Sequence, residues 1–385
     1  MRWYTFATHV SLAALFILGS GQALGQYPYP EQGGEARVVI VRQGGQLSIT
    51  APEHESLPAQ VQQDLAAFAL AVAALPLEVE QTFVMFSRYG KMAAAGKVYA
   101  DDFFDPEPPT GIWIWPDWQN SATVHHFPEY SRVRFLGNDR YVRVQHRERI
   151  VQNAQDYMRT HKYIIDVTAP TQRYRLKGLA LFRVATTGRW AGVRKDGQLF
   201  VGQLEAGNEQ SIITGRQPVV TPSPVKNLLL LPDATYLLLE LESGVLLTLT
   251  GDGSVQISST VRRLYDSAHY ADDHVVGGNS FYGWVGGPGQ WQLAFLTVAA
   301  DGNIVVEEMP GLSLSSGRPA SSSPSGKYEV CYKDVFGLGG IESLILRTPK
   351  ADPAVPIPPL EDPLIDALME QTPRPVVGSA WIHWD

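Results

Sequence analysis

Five times along this chain a short turn-forming cluster is followed at once by a polar residue and a large aromatic. The stretches are Asn138-Asp139-Arg140-Tyr141, Thr187-Gly188-Arg189-Trp190, Asp233-Ala234-Thr235-Tyr236, Gly289-Gln290-Trp291 and Ser325-Gly326-Lys327-Tyr328. The aromatic recurs after 49, 46, 55 and 37 residues. A repeat of that length holds a few short strands and is too short to bury a core alone, so neighbouring units must stack to exclude water. The unit around Tyr236 shows its internal plan. Apolar runs at 227–231, 236–239, 245–250 and 255–257 are separated by Pro232-Asp233, Glu242-Ser243-Gly244 and Gly251-Asp252-Gly253. These turns suit tight hairpins, whose Asp-Gly pairs tolerate positive φ.

The Asp-Gly turn recurs at Lys195-Asp196-Gly197 and Ala300-Asp301-Gly302, each time between two apolar runs. Near-continuous apolar runs fit strands buried on both faces. Together these features predict an all-β chain: a β-propeller of about six four-stranded blades, with five or seven as alternatives, and one N-terminal helix. Ser323-Pro324-Ser325-Gly326-Lys327-Tyr328 resembles the S-P-D-G-K-Y turn of WD40-like and TolB-type propeller repeats, with Ser325 where that pattern has Asp. The resemblance covers roughly residues 130–350 and implies a fold rather than a function. The five aromatics are expected to pack between blades.

The first 25 residues carry Arg2, the apolar stretch from Val10 to Leu18, and a small-x-small end at Ala23-Leu24-Gly25. This reads as a cleaved signal peptide, with a mature protein starting at Gln26 and exported to the periplasm or medium; a lone membrane anchor is the competing reading. Cys331 is the single cysteine, which excludes an intramolecular disulfide and any multi-cysteine metal site. Residues 26–385 are read as one propeller domain, expected to be monomeric and without stable membrane insertion. Within it lie a hairpin at 37–50, a helix at 57–75, blades over 80–348, a proline-rich tail at 349–378 and a closing strand at 379–385. Val41-Arg42-Gln43-Gly44-Gly45-Gln46-Leu47 echoes Val193-Arg194-Lys195-Asp196-Gly197-Gln198-Leu199. In the helix, Val61, Leu65, Phe68, Val72 and Leu75 fall at helical spacing before Pro76. Thr82 to Tyr89 reads as a degraded earlier repeat, and the terminal strand is expected to share a blade with the N-terminal hairpin.

Three constellations could carry chemistry. Asp266, His269, Asp272, Asp273 and His274 gather imidazoles and carboxylates in nine residues, a set that suits a divalent metal or a general base. The spacing fits no known metal motif, and a solvated loop between blades explains it equally well. Between Arg132 and Lys177 stand eleven Lys and Arg against four acids, so this segment is +7 in a chain of net −8. Arg140, Arg143, Arg147 and Arg149 are the candidates for holding an anionic partner. An exported acidic protein is not expected to bind nucleic acid, which leaves polysaccharide, lipid headgroups or an acidic protein surface. The third is Gly111-Ile112-Trp113-Ile114-Trp115-Pro116-Asp117-Trp118, where both faces of the strand are apolar and burial is expected. Trp118, beyond Pro116, is expected to be partly exposed and available to a partner.

No G-x-S-x-G elbow, H-E-x-x-H helix or paired-cysteine motif is present. The reading is therefore an exported propeller that binds or scaffolds a protein or anionic polymer through its loop faces. The alternative is a propeller enzyme with a site assembled from loops at the ring axis, metal-dependent through residues 266–274.

Overall fold

A computed structural model describes residues 34–384, apart from 52–56, 88, 98–110, 137–138, 153–154, 186, 206–210, 231–235, 244–245, 251–254, 259–274, 278–279, 286–291, 300–302, 314–317, 325–326, 334–340 and 348–375. The chain is mostly β, with one α-helix among the described residues. β1 (Gly34–Gln43) and β2 (Gln46–Thr50) form a hairpin, and α1 (Ala59–Ala73) follows it. The hairpin turns on Gly44 and Gly45, at φ +58° and +76°, a conformation that favours glycine. β3 (Thr82–Phe86), β4 (Ala93–Lys97), β5 (Ile112–Trp115) and β6 (His125–Phe127) make a four-stranded antiparallel meander. β7 (Tyr130–Phe135), β8 (Tyr141–Gln152), β9 (Gln155–Asp166) and β10 (Arg173–Arg175) make the next.

Four more sheets follow in chain order. β11 (Leu179–Val184), β12 (Arg189–Arg194) and β13 (Leu199–Gln203) form one. The unit around Tyr236 folds as its sequence predicts, into β14 (Val225–Leu230), β15 (Tyr236–Leu241), β16 (Leu246–Thr250) and β17 (Val255–Ser258). Then come β18 (Val275–Gly277), β19 (Ser280–Val285), β20 (Gln292–Val298) and β21 (Ile304–Ser313). The last group is β22 (Arg318–Ser322), β23 (Tyr328–Lys333) and β24 (Ile341–Arg347). The final strand, β25 (Val376–Trp384), pairs antiparallel with β1 from Gly34↔Trp384 to Arg42↔Val376. The N- and C-terminal strands thus share one sheet.

From the β1–β2–β25 sheet to the β14–β17 sheet, consecutive sheets share cores taken in chain order. Ile112 and Ile114 of β5 meet Val142, Val144 and Ile165 of the β7–β10 sheet. Trp113 and Trp115, on the opposite face of the same strand, join Ile382 of β25 and Phe68 of α1. A strand with two apolar faces is what a layer between two neighbours requires. Tyr141 and Trp190, two of the five repeated aromatics, lie in one core with Ile164 and Phe182. Ala191 and Val193 then face Leu228 and Leu239 of the following sheet. In α1, Val61, Leu65, Phe68 and Val72 are the buried positions, one per turn, and the helix packs beside β2 over the chain-joining sheet.

The expectation for Trp118 is corrected. Its ring is fully buried, 6.5 Å from that of Phe68 and 6.3 Å from that of Phe86. Its indole Nε1 donates to the backbone carbonyl of His383 at 3.2 Å. Pro116 ends the strand, but the turn that follows folds Trp118 back under α1, where a large ring with one satisfied donor is well placed.

Candidate functional site

Asp266, His269, Asp272, Asp273 and His274 lie outside the described residues. Among the described residues no group of three or more His, Cys, Asp or Glu side chains could hold a metal ion, and no helix is long and apolar enough to cross a membrane. The four candidate arginines fall in or beside β8, the strand that sets this sheet apart from the others. β8 and β9 are each 12 residues long, whereas β7 has 6 and β10 has 3. β7 pairs with β8 only as far as Tyr130↔His146, while β8 and β9 stay paired to Gln152↔Gln155. The hairpin therefore runs six residues beyond β7, or about 20 Å at the rise of an extended strand.

Strand alternation divides the basic residues between two faces. Arg134 is directly opposite Arg143, Arg132 opposite Gln145, Lys162 opposite Gln145, and Arg147 opposite Thr160. Cross-strand partners share a face, so Arg132, Arg134, Arg143, Arg147 and Lys162 all lie on one side of the sheet. Partial desolvation, followed by the charges of Arg143 and Arg134, holds the Lys162 ammonium below the ordinary lysine value. Three cations are thus close enough to oppose one another's charge. Arg149 occupies the next register position on the same strand, and its side chain lies outside the described residues.

The opposite face holds a connected set of rings and charges. His146 donates from Nδ1 to the Glu129 carbonyl at 2.8 Å, which fixes its tautomer. His161 Nδ1 lies 3.1 Å from Arg175, an obligate donor, so neutral His161 carries its proton on Nε2, 3.3 Å from Glu148. The two imidazoles lie nearly parallel at 6.4 Å. Tyr130 stands edge-on to His146, and the Arg173 guanidinium sits 5.5 Å from its ring while pairing with Glu129 at 2.5 Å. Burial pushes the Tyr130 hydroxyl up to about 12, against the opposing pull of Arg173, so it is a donor throughout the physiological range. Sequence reading missed this set because its members come from three separated strands. The only available signal was the alternation of His146 and Glu148 with His161 and Tyr163 in two long polar runs.

Arg140 has a different task from the other candidates. Its Nε and terminal nitrogen donate to Asp166 Oδ2 at 3.0 and 2.7 Å. Asp166 Oδ1 accepts from the Thr168 amide and hydroxyl at 3.0 and 2.6 Å. Burial works to raise the Asp166 carboxyl, but the bonds from Arg140 and Thr168 outweigh it and hold the group below the usual aspartate range. Arg140 thus ties the β7–β8 turn to the β9–β10 turn, at the end of the sheet remote from Arg147. Beside it, Asp139 has one buried carboxyl oxygen with no hydrogen-bond partner. Burial, opposed by a bond from Ser87 and the charge of Lys91 and reinforced by Asp117, pushes its carboxyl up to about 7.

No protein-family model matches the sequence, and no curated protein matches it. Among solved structures the chain is similar to a candidate 6-phosphogluconolactonase from Bacteroides uniformis, at 12% identity and a TM-score of 0.39, over 78% of this chain and 89% of that one. It is also similar to the β-propeller domain of Cps50 (Swd1) from Myceliophteria thermophila, at 11% identity and a TM-score of 0.35, over 65% of this chain and 79% of that one. A third similar structure is dihydro-heme d1 dehydrogenase NirN, at 13% identity and a TM-score of 0.34, over 81% of this chain and 64% of that one. The likeness is one of fold alone, and no residue of this chain takes a role from it.

Proposed function

We propose that this chain is an exported seven-bladed β-propeller that works as a binding or scaffolding protein through the long β8–β9 hairpin. Seven blades are supported by the seven sheets found among the described residues, by the chain-order packing of five of them, and by the sheet shared between β1 and β25. That sheet would close the ring by joining both chain ends. Export is supported by the apolar stretch Val10 to Leu18 and the small residues after it. An intact mass beginning at Gln26 is expected for protein recovered outside the cytoplasm.

The observation that carries the binding role is the length of the hairpin. A two-stranded ribbon extending about 20 Å past its sheet gains little stability from itself, and Glu148, Arg159 and Thr160 on it are exposed. Its exposed surface is available for contact with another molecule. A photo-crosslinking residue at Arg159 or Thr160, both exposed on the hairpin, is expected to give a discrete adduct in the exporting cell. The same probe at Asp196, in the exposed β12–β13 turn, is expected to give none. Equal labelling from both places, or none from the hairpin, would refute the reading.

A further inference from the structure

We propose that the outer edge of β9, from Asp156 to Thr160, takes up an extended peptide segment of a partner protein as an added strand, in line with β10. The proposal rests on the reading of the β8–β9 hairpin as the binding surface and states how that surface binds. β10 pairs with β9 only from Arg173↔Ile165 to Arg175↔Tyr163, and a last bond, from the Leu176 amide to the Lys162 carbonyl at 2.9 Å, ends the contact. Backbone groups of an antiparallel strand alternate between its two edges. Lys162 therefore directs its main-chain groups toward the β10 side, and so do Thr160, Met158 and Asp156 before it. The Val167 amide fits the same alternation, since it points the other way and donates to the Arg140 carbonyl just ahead of β8 at 2.8 Å. Among the described residues no strand pairs with β9 on its outer side at Thr160, Met158 or Asp156.

An open edge of this kind is a template for another strand, and proteins ordinarily blunt it with proline, a bulge or a very short strand. β9 uses none of these. Its register with β8 runs from Tyr141↔Asp166 to Gln152↔Gln155 without a shift, and residues 141–166 contain no proline. The edge also selects its occupant. From Asp156 to Thr160 it is about 17 Å long at the rise of an extended strand. A second copy of the whole protein would bury on the order of a few hundred Å² along so short an edge, well below the roughly 1,200 Å² of a stable interface. A peptide strand does not need that area from two rigid bodies. Its main chain bonds along the edge, while its alternate side chains lie over the two faces of the hairpin.

The test uses the full-length protein with a photo-crosslinking residue at Arg159, followed in the exporting cell. Thr160→Pro removes an N–H that faces away from β8, so the hairpin keeps its own ladder, and adduct yield is expected to fall at least about tenfold. Thr160→Ala changes the side chain and leaves the backbone donor, and its yield is expected to stay within about twofold of the parent. Should Thr160→Pro fail to fold, Met158→Pro, at the next outward position, carries the same expectation. Adduct that persists in the folded proline variant, or that is lost equally in Thr160→Ala, would overturn the proposal while leaving the hairpin as a contact surface. Concentration-dependent dimerisation of the purified protein, abolished by Thr160→Pro, would overturn it too by placing a second copy on the edge. If the parent protein forms no adduct at all, the reading of the hairpin as the binding surface fails and this proposal fails with it.

Discussion

The sheet that joins the two chain ends and the sheet of β7–β10 use the same antiparallel plan for opposite purposes. Around the first, Phe68, Trp113, Trp115, Trp118 and Ile382 are all buried in one core with the apolar face of α1. Gly90 at φ +69° lets the β3–β4 turn touch the β25 backbone, and a Cβ there would come within 2.5 Å of the His383 amide nitrogen. In the second sheet, apolar packing stops near Val144 and Tyr163. Beyond them the register runs on through His146, Arg147, Glu148, Arg159 and His161, of which Glu148 and Arg159 are exposed. Stability is concentrated where the chain ends must be held together. Charge and exposed surface are concentrated where the strands outrun their neighbours. A repeated architecture can therefore specialise one unit without loosening the rest, because each unit makes its core only with those beside it.

Substitutions can break or sharpen this contrast. The largest effect is expected from Trp115→Ala, which empties a fully buried site and should cost about 3–5 kcal/mol in chemical unfolding. Gly90→Ala comes next. It combines an unfavourable positive φ with a clash against backbone that cannot move aside, and should cost about 2 kcal/mol or more by the same measurement. Asp166→Asn, which breaks the clamp with Arg140, should cost about 1–3 kcal/mol. In the intact protein the Asp166 carboxyl lies below its unfolded value, so its stabilisation is present above the ordinary aspartate range and is lost as pH falls through the folded value.

Asp139 should behave in the reverse sense. Its carboxyl, raised to about 7, favours the folded state most at pH below the unfolded value, and that contribution is lost as pH rises through 7. Asp139→Asn should leave stability nearly unchanged at pH 3, below the unfolded value, and raise it relative to the parent by a growing amount from there to pH 8. Thermal midpoints across that range would show it, and parallel pH profiles for parent and variant would count against the buried carboxyl.

Sequence patterning revealed more of the fold than of the surface, for physical reasons. The turn-plus-aromatic repeat locates β8, β12 and β15, since Tyr141, Trp190 and Tyr236 stand at or beside the first residue of each. The helical spacing of Val61, Leu65, Phe68 and Val72 locates α1 to within two residues at each end. Such patterns are local, and hairpin and helix geometry are local too. The basic segment was also visible, but its division between two faces was not. The bulge between Tyr130 and Arg132 shifts the register of β7 against β8, and no pattern within a single strand reports such a shift. Trp118 was misjudged because its burial depends on α1 and β25, whose residues lie far away in sequence. Arg140 was grouped with the other arginines because Asp166, its partner across the sheet, is 26 residues further on.

The central claim, that the β8–β9 extension serves contact and not stability, is tested most directly by shortening it. Replacing residues 148–159 with Asn-Gly keeps the Arg147↔Thr160 pair and closes it with a two-residue turn that suits a right-twisted hairpin. The shortened protein, carrying a photo-crosslinking residue at Thr160, would be followed by chemical unfolding and by adduct formation in the exporting cell. The account predicts unfolding within about 1 kcal/mol of the full-length protein, together with loss of the adduct. A strongly destabilised variant that still forms the adduct would contradict it.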